Sequence, residues 1–379
     1  EDRLASLTSD GRRSYIYPAE VRGFFQRYRQ IVQALLMVIF LVLPWISING
    51  QQALLFNIPQ RHFSIFGLTF MAHDTPLFFF VLALLTLGLA FVTSLWGRVW
   101  CGWTCPQTVF IESIFRRIER WIEGQHLAQR KLNEQPLNFT KLWKKSLKWF
   151  IFALASLVIA HSFLAYFVGT NELFHMVRQP PTENWTSFLI MSFISLLILF
   201  DFGWFREQFC IIACPYGRFQ SVLMDQHTIN ICYDEKRGEP RKGLELGSNQ
   251  SPGDCVNCYR CVQVCPTGVD IRRGVQLECI ACTACIDACD EIMTKVKKPK
   301  GLIRYTSESA LAGVPHKMFR FRNFVYLFLI LIVASGLVFA TARRNPIQIT
   351  LLRAKDIPYR VVPLDSGIEL SEGATGLVN

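Results

Sequence analysis

Five stretches of this 379-residue chain, 31–48, 76–95, 149–168, 185–202 and 324–342, are almost wholly apolar and close to the length of a membrane crossing. A hydrocarbon core of about 30 Å takes ~20 helical residues, and an isolated apolar run in lipid must satisfy its own backbone, which a helix does. Composition points the same way. The chain is 51% hydrophobic and 18% charged, whereas soluble domains carry about 25% charged residues. A single water-soluble globule is excluded.

Lys and Arg number six before the first run, one (Arg61) in 49–75, ten in 96–148, one (Arg178) in 169–184, seventeen in 203–323 and five after the fifth. By the positive-inside rule, segments 1–30, 96–148 and 203–323 are expected in the cytoplasm, with 49–75, 169–184 and 343–379 facing outward. The net charge of +11 is then a topology signal. No groove-reading motif accompanies it, so nucleic acid is not an expected partner. The first thirty residues show no apolar h-region or cleavage-site pattern, so the first span is expected to direct insertion. The tail 343–379 carries β-like runs at 347–351 and 359–362 and reads as the start of a β domain.

Thirteen cysteines narrow the chemistry, because eight of them lie between 255 and 289. Cys255-x2-Cys258-x2-Cys261-x3-Cys265-Pro266 is followed by Cys279-x2-Cys282-x2-Cys285-x3-Cys289. A cubane cluster can take three thiolates from one tight loop, and the fourth must come from elsewhere, so such motifs occur as cross-feeding pairs. This assigns Cys255, Cys258, Cys261 and Cys289 to one [4Fe-4S] cluster, and Cys279, Cys282, Cys285 and Cys265 to the other. Asp290 stands after Cys289 where proline is usual. The insert 203–323 is therefore expected to hold an α+β bacterial-type 2[4Fe-4S] ferredoxin domain with its core at 250–295. Acidic neighbours Asp254, Asp270, Glu278, Asp287, Asp290 and Glu291 read as an ordinary ferredoxin surface. Such a domain moves single electrons and rearranges no bonds.

Two further cysteine pairs repeat at an identical offset: Gly97-Arg-Val-Trp-Cys101-Gly-Trp-Thr-Cys105-Pro106 and Phe205-Arg-Glu-Gln-Phe-Cys210-Ile-Ile-Ala-Cys214-Pro215. Each follows a pair of spans, so 31–202 reads as two parallel hairpin repeats. On a helix, residues i and i+4 share a face, so each pair is expected to present two thiols together. Soft thiolates select Cu(I) or zinc over hard cations, which makes Cys101, Cys105, Cys210 and Cys214 candidate copper or electron-exit groups. Whether they form one site or two is open from sequence, as is homo-oligomerisation. Cys232 stands alone and reads as structural. His62, Met71, His73, His161, His175, Met176 and Asp201 are weaker candidates for a copper or quinol site. No C-x-x-C-H haem motif occurs.

These features together, with Tyr233-Asp-Glu-Lys-Arg-Gly-Glu-Pro-Arg241, resemble the cytochrome c oxidase accessory proteins of the CcoG, FixG or RdxA family, and more distantly the NapH and NosR membrane ferredoxins. The resemblance implies a bacterial inner-membrane protein acting in assembly of the C-family haem-copper oxidase by reducing Cu(II) to Cu(I). It implies oxidase-assembly factors and copper-transport proteins as partners, and an electron donor that stays unidentified. The expected fold is an α-helical polytopic membrane protein with five transmembrane helices. The competing reading is a quinol-linked electron conduit with no copper role, and a third is a non-enzymatic assembly scaffold.

Overall fold

A computed structural model describes residues 13, 15–58, 62–70, 75–242, 252–314 and 320–343, with the backbone of two further strands, Tyr359–Leu364 and Gly367–Glu372. Five helices are long and apolar enough to cross a membrane: Phe24–Trp45, Leu77–Trp96, Phe139–Val168, Trp185–Phe205 and Phe321–Ala342. Large apolar side chains such as Leu85, Phe193 and Leu331 face outward along them. Such surfaces suit hydrocarbon and would be an aggregation liability in water.

Three spans depart from the bounds set by hydropathy. The first begins at Phe24, because the amides of Phe25 and Gln26 donate to the Asp287 carboxylate of the insert at 3.2 and 2.7 Å. A carboxylate there satisfies orphan helix amides and complements the dipole. At its far end the helix is over by Trp45, and Ser47–Ile48 is a strand paired with Gln51–Gln52. The third begins at Phe139, whose amide donates to Asn138 Oδ1 at 2.7 Å. Its opening turns carry Lys141, Lys144, Lys145 and Lys148, which hydropathy reads as loop. The fourth ends in a π-helical turn, Asp201–Phe205.

The second and fifth spans pack together, as do the third and fourth. Gly336 admits the Phe80 ring, for a Cβ there would lie 2.8 Å from Phe80 Cε1. At one end of this pair Ser94 Oγ donates to Asn323 Oδ1 at 2.9 Å. Phe110, Phe115, Phe152 and Phe202 form an aromatic core under the third and fourth spans, with Phe115 and Phe152 centroids 4.8 Å apart. Between the first two spans an antiparallel sheet, Leu54–Asn57, His62–Ile65 and Leu68–Phe70, covers the opposite end.

The insert between spans four and five is closed by an antiparallel strand pair, Asn230–Tyr233 with Ile303–Thr306, in the register Ile231 to Tyr305 and Tyr233 to Ile303. The cysteine loops and the helix Ala284–Lys295 lie between those strands in sequence. Ile231, Ile271, Ile286, Met293 and Leu302 pack with Cys255, Cys261 and Cys285 in one core. A second core joins Val264, Ile280, Cys282 and Ala288 to Ala19, Val21 and Cys101. This is the expected polytopic helical protein with a ferredoxin domain, and that second core binds the domain to the ends of the spans.

Candidate iron–sulfur and thiol centres

Two cavities lie in the insert. One is lined by Cys255, Cys258, Cys261 and Cys289, the other by Cys265, Cys279, Cys282 and Cys285, with Cys261 on the shared wall. Each thus draws three thiols from one motif and the fourth from the other, the grouping expected from the spacing. The loops match in conformation as well. Asn257 and Tyr259 take φ of 54° and 55°, and their counterparts Ala281 and Thr283 take 52° and 65°. A left-handed non-glycine residue costs roughly 1–2 kcal/mol, so four of them mark loops bent to a purpose. Turning the chain this way aims successive amides into a concavity that suits anionic sulfur.

Among the described residues no three His, Cys, Asp or Glu side chains converge as one metal ion would require. A cubane spreads its thiols more widely than a single ion does. Burial pushes the thiols of Cys261, Cys279 and Cys289 up to about 12 and that of Cys282 up to about 11. Free, they would stay protonated at neutral pH; as iron ligands they must be thiolates. Among the described residues Arg98 Nε and Arg29 Nη2 are buried without a hydrogen-bond partner, and these guanidiniums are among the charges acting on Cys279 and Cys282. Anionic thiolate–iron groups would answer both. The donor sets, loop shape and orphaned cations all fit [4Fe-4S] clusters.

Cys101, Cys105, Cys210 and Cys214 gather in one place: Cys105, Cys101 and Cys214 all act electrostatically on Cys210, and Cys214 acts on Cys101 and Cys105. The two hairpins thus bring their thiols within electrostatic reach of one another, although among the described residues no three of them converge as one metal ion would require. The i, i+4 geometry expected from sequence is wrong, however. Cys101 lies in the short helix Val99–Trp103, whereas Cys105 is the non-helical residue before Pro106, first residue of the next helix. Cys210 and Cys214 repeat this, Cys214 preceding Pro215. Proline is suited to a first helical position but not to a helix interior, so each Cys-Pro step ends one helix and starts another. Just before each pair the chain passes through one left-handed residue, Gly97 at 55° and Arg206 at 52°. Burial raises the Cys101 thiol to about 11, and that thiol donates to Gln220 Oε1 at 3.4 Å. It also raises Cys105, against the amides of Gln107 and Thr108, and raises Cys210 further.

The thiol group abuts the second quartet. A Cβ on Gly102 would lie 2.4 Å from Ile280 O and 2.9 Å from Ala281 O, so only glycine allows this approach. Arg29 Nε donates to Gly102 O at 2.7 Å. Trp103 Nε1 donates to Tyr305 Oη at 3.3 Å, and Tyr305 Oη to Ala281 O at 3.2 Å. Cys101 packs against the core that contains Cys282.

Sequence reasoning missed the ionic lattice that holds this junction. Arg206 donates twice to Glu119, at 2.8 and 2.6 Å, and Lys148 reaches Glu119 at 3.3 Å and Glu123 at 2.9 Å. Arg116 pairs with Glu112 and with Glu207 at 3.4 Å and donates to Pro266 O, beside Cys265, at 3.0 Å. Part of the signal was present: Arg206 stands in the second repeat text, four residues ahead of Cys210.

The weaker candidates scatter. His62 and Met176 line a cleft at the opposite ends of the spans, with Glu172 and Gln52. Met71 and His73 lie outside the described residues. His161 Nδ1 is 2.8 Å from Leu157 O of its own helix, and Asp201 Oδ1 accepts from Gln107 at 3.0 Å. His175 sits in the short helix Thr170–Arg178. Cys232 is buried, 3.5 Å from Thr306 O across its strand pair.

Comparison with known proteins agrees with this geometry. A 4Fe-4S dicluster domain family matches residues 205–308, and a 4Fe-4S binding domain family matches 77–131. Protein RdxA of Cereibacter sphaeroides is 37% identical over 372 residues, 89% of this chain and 76% of the relative. The nitrogen fixation protein FixG of Rhizobium meliloti is 35% identical over 315 residues, 80% of this chain and 59% of the relative. The ferredoxin-type protein NapH of Haemophilus influenzae is 23% identical over 220 residues, 54% of this chain and 64% of the relative. No solved structure matches the chain. With five spans, paired thiol quartets and relatives of this identity over most of its length, the chain belongs to the FixG/RdxA family of membrane-associated iron–sulfur electron-transfer proteins.

Proposed function

We propose that the protein reduces Cu(II) to Cu(I) at the inner membrane, with Cys101, Cys105, Cys210 and Cys214 as the receiving thiols, in service of assembling the C-family haem-copper oxidase. The observation that carries this is the contact of the four-thiol group with the Cys279 quartet through Gly102. Clusters bound by Cys255, Cys258, Cys261 and Cys289 and by Cys265, Cys279, Cys282 and Cys285 supply one-electron storage. Copper is the substrate, and Cu(II)/Cu(I) is a one-electron couple. Soft thiolates favour the reduced ion, so the chain holds the product more tightly than hard-ligand sites would.

In this reading 1–30, 96–148 and 203–323 face the cytoplasm and 343–379 the periplasm, as the Lys and Arg distribution supports. The oxidase-assembly and copper-transport partners follow from the family and belong to the same proposal. Cells carrying Cys101/Cys105/Cys210/Cys214→Ser are expected to assemble less active oxidase than wild type at low copper and to recover at high copper. Unchanged assembly at low copper would contradict the proposal.

A further inference from the structure

The two quartets differ in their surroundings. Cys258 is the exposed cysteine of the eight, and Tyr259 beside it is 51% exposed. The second quartet is covered by the Gly102 contact, with Cys101 packed against the core that holds Cys282. A partner carrying electrons can therefore approach the first quartet, while the second faces the protein's own thiols.

Their charges differ as well. Near the first quartet Arg272 is matched by Asp270, with Nε and Nη2 donating at 2.8 and 2.7 Å. Arg237 and Lys298 share Asp254 at 2.6 and 3.2 Å, and Arg260, which lines the same cavity and donates to Glu20 O at 2.9 Å, is only half-buried. Near the second, Arg29 is 2% and Arg98 6% exposed, and each holds one nitrogen with no partner among the described residues. Among the described residues their hydrogen bonds go to neutral oxygens: Gly102 O and Gln26 Oε1 for Arg29, and Gly217 O for Arg98. Of the nearby carboxylates, Glu112 is bound to Arg116, and Asp287 accepts from the amides of Phe25 and Gln26. Buried cations favour the more negative, reduced state of a redox group beside them, and a low dielectric screens that effect little.

We propose that the quartets form a one-way wire: electrons enter at the exposed Cys258 quartet and leave from the Cys279 quartet across the Gly102 contact to Cys101, and the buried Arg29 and Arg98 make the second site the more easily reduced. This rests on the reading of the four thiols as the electron's destination. Each transfer moves one electron and no atom: the second site is oxidised by one electron as one Cu(II) becomes Cu(I). Arg29 and Arg98 act as positioning residues through their charge.

The test is a redox titration of the cluster-loaded full chain in detergent, followed by electron paramagnetic resonance with no copper present. Cys258→Ser alters the spectrum of the first site and so assigns the signals. Two midpoints are expected, the higher belonging to the second site. Arg98→Gln and Arg29→Gln each lower that midpoint and leave the other in place, while Arg98→Lys, which keeps the charge, restores it. A higher midpoint at the Cys258 site overturns the proposal, even if the arginine variants fail to fold. So does a normally loaded Arg98→Gln variant with unshifted midpoints. Because copper is absent, failure here leaves copper reduction standing, and a failure of copper reduction leaves the order of midpoints standing.

Discussion

Gly102 and Ile280 meet backbone to backbone: a methyl group on Gly102 would sit 2.4 Å from the Ile280 carbonyl oxygen. That contact joins the helix carrying Cys101 to the loop carrying Cys279 and Cys282, and a carbonyl in a tight loop cannot swing aside as a long side chain can.

Gly102→Ala is therefore expected to push the two elements apart, at a cost of about 1–3 kcal/mol for overpacking. Both clusters should remain bound with unaltered spectra, while stopped-flow reoxidation by Cu(II) slows several-fold. Reoxidation by ferricyanide, which can approach the exposed Cys258 side, should keep its wild-type rate. Equal slowing by both oxidants would show general damage instead of a lost contact.

Glu119 holds Arg206 and Lys148 in a buried group, so Glu119→Gln leaves cations unmatched and should destabilise by roughly 3–5 kcal/mol. Burial alone would raise the Glu119 carboxyl, but Arg206 and Lys148 hold it down to about 2, against an ordinary value of about 4.3. A depressed carboxyl contributes stability above its unfolded pKa and loses it as pH falls toward the folded one. Thermal stability of wild type should thus fall from about pH 4.3 downward. The difference between wild type and Glu119→Gln should shrink over the same interval. A constant difference would contradict the pairing.

Stripping the clusters should expose the cysteines unequally. In loaded protein the eight ligand thiols are expected to resist alkylation; after removal of iron under anaerobic conditions, Cys258 should label first, and buried Cys255, Cys261, Cys282 and Cys285 later. Mass spectrometry of timed samples reads the order. Early labelling of Cys282 or Cys285 would contradict their enclosure.

The orientation has a direct check. A reporter fused after Asp225 should behave as cytoplasmic, because it falls in the Lys- and Arg-rich segment 203–323. Periplasmic behaviour would reverse the side on which copper is met.

Much of this was legible in residue order. Cysteine spacing forecast the grouping of both quartets, since a three-thiol loop must borrow its fourth ligand, and the apolar runs located every span. What failed were features set by distant partners. Phe24 starts a helix because Asp287, far away in sequence, caps it. Lys145 and Lys148 continue the third span as helix because Glu123 faces them, whereas hydropathy reads charge as loop. The expected shared helical face of Cys101 and Cys105 overlooked the proline after Cys105, whose own preference restarts the helix. Gly102 carried no visible signal, because its importance lies in a carbonyl from another domain.

The central claim is that electrons reach copper at the four thiols. Anaerobically reduced protein titrated with Cu(II), with cluster absorption and a Cu(I)-specific chelator followed together, tests it most directly. Wild type should yield Cu(I) in step with cluster oxidation, and Cys101/Cys105/Cys210/Cys214→Ser should yield little while keeping both clusters. Equal Cu(I) from the variant would contradict the account, and bleaching of wild type reversed by a quinone alone would favour the quinol conduit.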